Sequence, residues 1–223
     1  MLPILLLLGL KRGHVAELRE ELLRSPTGRQ VTFWSAQRGE ILKADTLDVL
    51  RNELSGVEIL IPEVDRLCEI RRAVPVGDAE SIDVTATLYA TRPGDPVLQQ
   101  AGCALTEADG FGLVLSRSLA ETIGVAAGDK VVVTISRRGK SGDENASVEL
   151  AVSRVYDQPA EASLIGFAAF ELLDRFEQWI RGHRVAEFNW SASGNSVPAK
   201  YSEYLLFLDG VASLSDEDRR TLS

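Results

Sequence analysis

The stretch Gly110–Val133, GFGLVLSRSLAETIGVAAGDKVVV, constrains the fold more than any other part of the chain. Phe111, Leu113 and Leu115 alternate with Gly112 and Val114, the period of a half-buried strand. Ser116 follows at an N-cap position, where its hydroxyl can accept a backbone N–H that the first helical turn leaves unsatisfied. Leu119, Ala120 and Ile123 then share one helical face, and Gly124 supplies the left-handed residue that ends such a helix. Gly128-Asp129 turns the chain into Val131–Val133. Strand, short helix, turn and strand make a packing unit, with no nucleophile, base or ligand set in it. The unit directs attention to binding or mechanical domains rather than to enzymes.

The flanking sequence has a mixed texture. Val15, Leu18, Leu22 and Leu23 keep helical spacing among charged residues, which predicts an amphipathic helix ending near Ser25-Pro26. Gln30–Trp34 reads as a strand, Thr46–Leu54 as a helix capped by Asp45 and stopped by Gly56, and Val57–Ile61 as a second strand, the pattern of a βαβ unit. After Arg72 the period changes to two, with Ile82, Val84, Ala86, Leu88 and Ala90 alternating with other residues. Arg92–Pro96 is a turn cluster, Arg137–Asn145 a charged loop, and Val148, Leu150 and Val152 alternate beyond it. A helix is expected over Leu164–Ile180, closed by Gly182, on a stripe that includes Ile165, Ala168, Leu172, Phe176 and Trp179. Strands are expected at Arg184–Trp190 and Tyr204–Leu208, joined by the polar loop Ser191–Pro198, and a final helix at Ser215–Leu222 with Ser215 as cap.

The predicted fold class is α+β and two-lobed. A βαβ-type α+β lobe (residues 25–78 and 156–223) carries an inserted strand-rich lobe (residues 79–155), after a stub and stalk helix at residues 1–24. The strands of Gln30–Ile61 and Arg184–Leu208 should share one sheet.

The chain has 223 residues, 45% hydrophobic and 26% charged, which suits a globular protein with a sizeable core. A formal net charge of −9 opposes nucleic acid, and the basic clusters Lys11-Arg12, Arg71-Arg72 and Arg137-Arg138 are small. Gly139-Lys140-Ser141 fails as a phosphate loop because Thr134 stands where the first glycine belongs, and Gly110-Phe111-Gly112 precedes a strand. Histidine occurs only at His14 and His183, and His183 with Glu187 has no third ligand. Ser116 has Val114, not glycine, two residues before it, so it is read as a cap rather than a nucleophile. No catalytic, cofactor-binding or metal residue is assigned, and no cofactor is expected. Cys68 and Cys103 are either two buried thiols or one disulfide. Trp34, Trp179 and Trp190 read as packing residues. Leu2–Leu10 falls short of the ~20 apolar residues that span a bilayer, so it is a signal core, the end of a membrane helix or a buried helix start. Its lack of a polar face predicts that it projects along the helix running to Leu23 instead of packing in the core.

Three segments carry a resemblance. They are the opening LLLLGLKRGHVAELREELL, the segment GLVLSRSLAETIGVAAGDKVVV, and the strand Val148–Val155 before a helix and a closing strand. In these the chain resembles the extracytoplasmic domains of ABC transporter permeases of the MacB/LolC/FtsX-like kind. The resemblance implies a non-catalytic, two-lobed domain between two membrane helices of a bacterial inner (cell) membrane protein, facing the periplasm or cell exterior. It also implies binding of a substrate or partner protein there, coupling to a separate ATPase through the membrane part, and a homodimer of permeases as one assembly. Tilting of the stalk helix would act through Leu18, Leu22 and Leu23. The alternative is a soluble cytosolic binding or adaptor module with a β-barrel-like region, and a third reading is an enzyme whose site the sequence does not display.

Overall fold

The computed structural model describes residues 14–21, 25–34, 52–73, 82–139, 142–157, 163–193, 196–197, 201, 203–208 and 215–221. Two sheets organise them. The first is three-stranded, with β9 (Glu203–Leu208) between β1 (Gln30–Trp34) and β2 (Val57–Pro62). Both neighbours run antiparallel to β9, so β1 and β2 are parallel to each other with β9 inserted between them. Residues 52–53 are helical just before β2, but most of the helix expected at Thr46–Leu54 falls outside the described residues.

The second sheet is a closed barrel in the order β3-β4-β8-β5-β7-β6. Its strands are β3 (Asp65–Arg72), β4 (Val84–Thr91), β5 (Leu113–Ser116), β6 (Lys130–Gly139), β7 (Gly142–Tyr156) and β8 (Ile165–Ala169). The β4–β8 and β5–β7 pairs are parallel and the others antiparallel. Closure leaves no free edge. The alternation read from Val84 to Ala90 points Val84, Ala86, Leu88 and Ala90 inward, and all four are buried. The barrel draws on residues 65–72 and 165–169 as well as on the 79–155 span expected to be strand-rich.

Residues 14–21 are helical, as the spacing of Val15 and Leu18 predicts, and further helices among the described residues are α1 (Pro96–Gln100), α2 (Arg117–Ile123), α3 (Phe170–Ile180) and α4 (Asp216–Thr221). The Gly110–Val133 unit forms largely as its sequence dictates. Ser116 Oγ caps α2 by accepting from Leu119 N at 3.3 Å, and Gly124 ends it at φ 69°. Ser116 Oγ also donates to the Ser163 carbonyl at 2.8 Å, which ties α2 to the approach of β8. The strand itself is shorter and drier than expected, for all of Leu113–Ser116 is buried. Val114, which should have faced water, lies under Leu98, Cys103 and Leu105 from the α1 excursion.

Three further expectations change. Ile165–Ala169 is a strand, not the start of the helix; α3 begins at Phe170. Alanines fit either period, and pairing with both β4 and β5 decides the outcome. Gly166 is the local reason: a Cβ there would lie 2.7 Å from Leu88 Cδ2 and 3.1 Å from the Val114 carbonyl, so two neighbouring strands approach closely. Arg184–Trp190 is not a strand but a 3-10 turn at Ala186–Phe188 closed by a Val185–Trp190 bridge, with Asn189 at φ 59°. The supposed loop Arg137–Asn145 is mostly ladder, since β6 and β7 pair from Lys130–Ala151 out to Gly139–Gly142.

One apolar core runs through both sheets, from Leu60, Ile61, Tyr204 and Leu206 to Leu88, Leu115, Val131 and Phe176. Trp179 and Trp190 are buried in it at a ring separation of 5.7 Å; nothing is described for the Trp34 side chain. Cys68 and Cys103 are free, buried thiols, and burial pushes the Cys68 thiol up to about 12.

Candidate functional site

Three polar clusters join elements that are distant in the sequence. The start of β1, the start of β2 and the end of β9 lie together at one end of the three-stranded sheet, because Gln30 pairs with Phe207 and Val57 with Leu208. Arg29, the last residue before β1, donates Nη1 to Glu58 Oε2 and to the Leu208 carbonyl, each at 2.8 Å. On the exit side, Asp218 of α4 accepts from Ser55 N at 3.0 Å, just ahead of β2, and from Ser215 N and Oγ at 3.1 and 2.7 Å. Asp218 N in turn donates to Ser215 Oγ at 3.0 Å, so Ser215 is the cap that its sequence position indicates. These bonds, the Ser215 hydroxyl first, hold the Asp218 carboxyl below its ordinary value. The chain that enters the sheet and the chain that leaves it are thus clamped side by side. The entering turn, Pro26–Arg29, also packs against α1 of the barrel excursion.

A second polar cluster joins the two sheets. Tyr201, at the approach to β9, donates to Asp174 Oδ1 of α3 at 2.5 Å and stacks edge-on against Phe170. Asp174 also accepts from Gln178 Nε2 at 2.6 Å. One turn along α3, the buried Glu177 pairs with Arg66 of β3 and with Arg181 at 2.7 Å. Burial and then the neighbouring Asp174 carboxylate raise the Tyr201 phenol, while burial lowers Arg66. Arg66 Nε is buried without a hydrogen-bond partner among the described residues, so this junction is packed but not fully satisfied.

A third cluster fixes the far part of the β6–β7 hairpin. Arg137 is buried, with its guanidinium 4.1 Å over the Trp179 ring. It bonds Glu144 Oε2 at 2.7 Å, the Trp179 carbonyl at 2.7 Å and the Ser191 carbonyl at 3.2 Å. Trp190 Nε1 adds a bond to the Ser147 carbonyl at 3.1 Å. The C-terminal end of α3 and the segment after it therefore hold the hairpin.

Of these residues only Ser215 as a cap, Trp179 and Trp190 as packing residues and Arg137 as part of a small basic cluster stand out in the sequence. Two signals were present. Arg137 continues the inward register of Val131, Val133 and Ile135, an arginine where an apolar residue is due. Asp174, Glu177 and Arg181 recur at helical spacing beside the apolar stripe of α3. Of the stalk residues, Leu18 is 45% exposed and Val15 56% exposed, so neither packs on the core, and Leu22 and Leu23 fall outside the described residues, as does Leu2–Leu10. His183 binds the Val197 carbonyl at 3.0 Å and Glu187 pairs with Arg175 at 3.0 Å, which separates them in role. Among the described residues no three His, Cys, Asp or Glu side chains form a metal-holding group, and no helix is long and apolar enough to cross a membrane.

A small antiparallel sheet and a closed barrel that shares its core make an α+β architecture. The periplasmic region of MacB from Actinobacillus actinomycetemcomitans has this fold, at a TM-score of 0.52 and 12% identity, with 91% of this chain and 86% of that one covered. The extracellular domain of the noncanonic ABC-type transporter YknZ from Gram-positive bacteria is also similar, at a TM-score of 0.45 and 12% identity over 86% of this chain and 88% of that one. No family model and no curated protein matches the sequence.

Proposed function

We propose that the chain is a non-catalytic extracytoplasmic domain of an ABC transporter permease in a bacterial cell membrane. In this reading the domain binds a substrate or partner protein outside the membrane and follows a separate ATPase on the other side. In it residues 1–24 are the stub and stalk, the three-stranded sheet belongs to the α+β lobe, and the inserted lobe expected at 79–155 is widened to the whole barrel by taking in β3 and β8. The observation that carries the reading is the clamp of Arg29, Glu58, Leu208, Ser55 and Asp218, on a fold shared with the MacB periplasmic region. A domain inserted between two membrane helices needs its two connections at one end. Force from either connection then reaches the sheet directly, and the Pro26–Arg29 turn passes it to the barrel through α1.

Labelling of intact cells tests the location. Ser136→Cys places a thiol on the exposed face of the hairpin, while both native thiols are buried. A membrane-impermeant maleimide should label Ser136→Cys in intact or outer-membrane-permeabilised cells. Labelling that appears only after the inner membrane is broken would favour the cytosolic adaptor reading instead.

A further inference from the structure

The outer wall of the barrel is covered on one side and open on the other. Around β5 it is sealed by Leu98, Cys103 and Leu105, which pack on Val114, and this cluster ends at Phe167 and Tyr156. Beyond Phe167 the wall continues without a covering element among the described residues. Phe167 pairs in register with Tyr89, and the rings lie 6.1 Å apart. On the next row Ile165 pairs with Thr87, and Thr87 with Leu67. Leu67 is 69% exposed and Tyr89 40% exposed, with Ile165 and Phe167 half-buried beside them. Neighbouring strands are ~4.8 Å apart, so Leu67, Tyr89, Ile165 and Phe167 form an apolar strip around Thr87 across three strands. Single exposed leucines are common, whereas an aligned strip marks a contact surface.

The charges that flank Leu67 on its face of β3 are both acidic. Alternation on β3 puts Asp65 and Glu69 on the same outward face as Leu67, one on each side of it, and both are exposed. The basic residues nearest along β3 are already engaged, Arg66 with Glu177 and Arg71 with Asp83 at 3.7 Å. We infer that this strip docks a basic amphipathic polypeptide segment, whose apolar side chains cover Leu67, Tyr89 and Phe167 and whose Lys or Arg residues meet Asp65 and Glu69. The apolar strip supplies the anchor and the carboxylates supply orientation and on-rate. An occupant there touches Phe167, which packs on the Leu98 cluster, and α1 of that cluster packs on the Pro26–Arg29 turn. The inference rests on the barrel wall alone and stands whichever compartment holds the domain.

The test is titration of the full chain with an amphipathic Leu/Lys peptide and with its Leu/Glu counterpart, at low and high salt. The Leu/Lys peptide should bind, the Leu/Glu peptide should not, and salt should weaken binding. Leu67→Ser with Tyr89→Ser should weaken binding about tenfold or more. Asp65→Asn with Glu69→Gln should weaken it roughly threefold at low salt and flatten the salt dependence. All four positions are exposed, and an unchanged unfolding midpoint checks the folding of each variant. Equal binding by the variants, or by the Leu/Glu peptide, overturns the proposal. So does self-association, or binding to zwitterionic lipid vesicles, that is lost in the Leu67→Ser and Tyr89→Ser variant, because the strip then serves a second copy or a membrane.

Discussion

The barrel and the three-stranded sheet use the same kinds of residue but depend on the rest of the molecule differently. Every barrel strand has two partners, and its interior is filled by side chains from all six strands. The sheet has one strand with two partners and two with one, and its strands come from opposite ends of the described chain. A sheet this small has marginal stability alone. It borrows its stability from α3, through Tyr201, and from the shared core. The barrel should therefore hold the last amide protons to exchange, and the sheet should open first.

The largest effect should come from the barrel interior. Leu88 is fully buried against Gly166, and Leu88→Ala should cost about 3–5 kcal/mol in denaturant unfolding, slowing no single region but lowering protection everywhere. A loss below about 1 kcal/mol would mean that the barrel is not the stable half. Next is Arg137→Met, which leaves two carbonyls and Glu144 without their donor and should cost about 2–4 kcal/mol. Hydrogen exchange should show faster amides at 135–139 with β1, β2 and β9 unchanged. Tyr201→Phe removes one donor from Asp174 and should cost about 1–2 kcal/mol, expressed in β9 and not in the barrel. Equal acceleration in both sheets would make them one cooperative unit and end the comparison.

Acid provides the smallest and most local test. Asp218 is held below its ordinary value by Ser215 and Ser55, and Asp109 by Thr106 before Arg154. A carboxyl lowered in the folded state contributes stability that is complete above its unfolded value, ~3.9, and is lost as pH falls through the lower folded one. Stability from these groups should thus be flat from pH 7 to about 5 and decline below about 4. Asp218→Asn should remove the acid response of α4, followed by NMR of its amides, and leave that of the Thr106–Asp109 turn on the barrel in place.

How legible each part was follows from the range of the forces that shape it. Local rules placed Ser116, Gly124 and Ser215 in their capping roles, and period two placed Val84 to Ala90. The Ile165–Ala169 strand was hidden because two alanines and an isoleucine satisfy a helical stripe, and only the close approach at Gly166 argued against it. Alternation alone puts Val114 on the wet face, because nothing nearby in sequence announces that Leu98 and Leu105 cover it. The clamp and the junction were invisible for the same reason. Arg29 meets Leu208, Ser55 meets Asp218 and Arg66 meets Glu177 across separations that no periodicity reports.

The insertion of β9 between β1 and β2 has a consequence for how the chain is made. A ribosome delivers β1 and β2 long before β9, and neither can complete its hydrogen bonding until the last of the three emerges. The barrel cannot close early either, since β8 must arrive to sit between β4 and β5. Through most of synthesis, then, the Val57–Ile61 segment waits as a sticky, partnerless ribbon. The nascent domain should be a strong client for holdase chaperones until residue 208 is out.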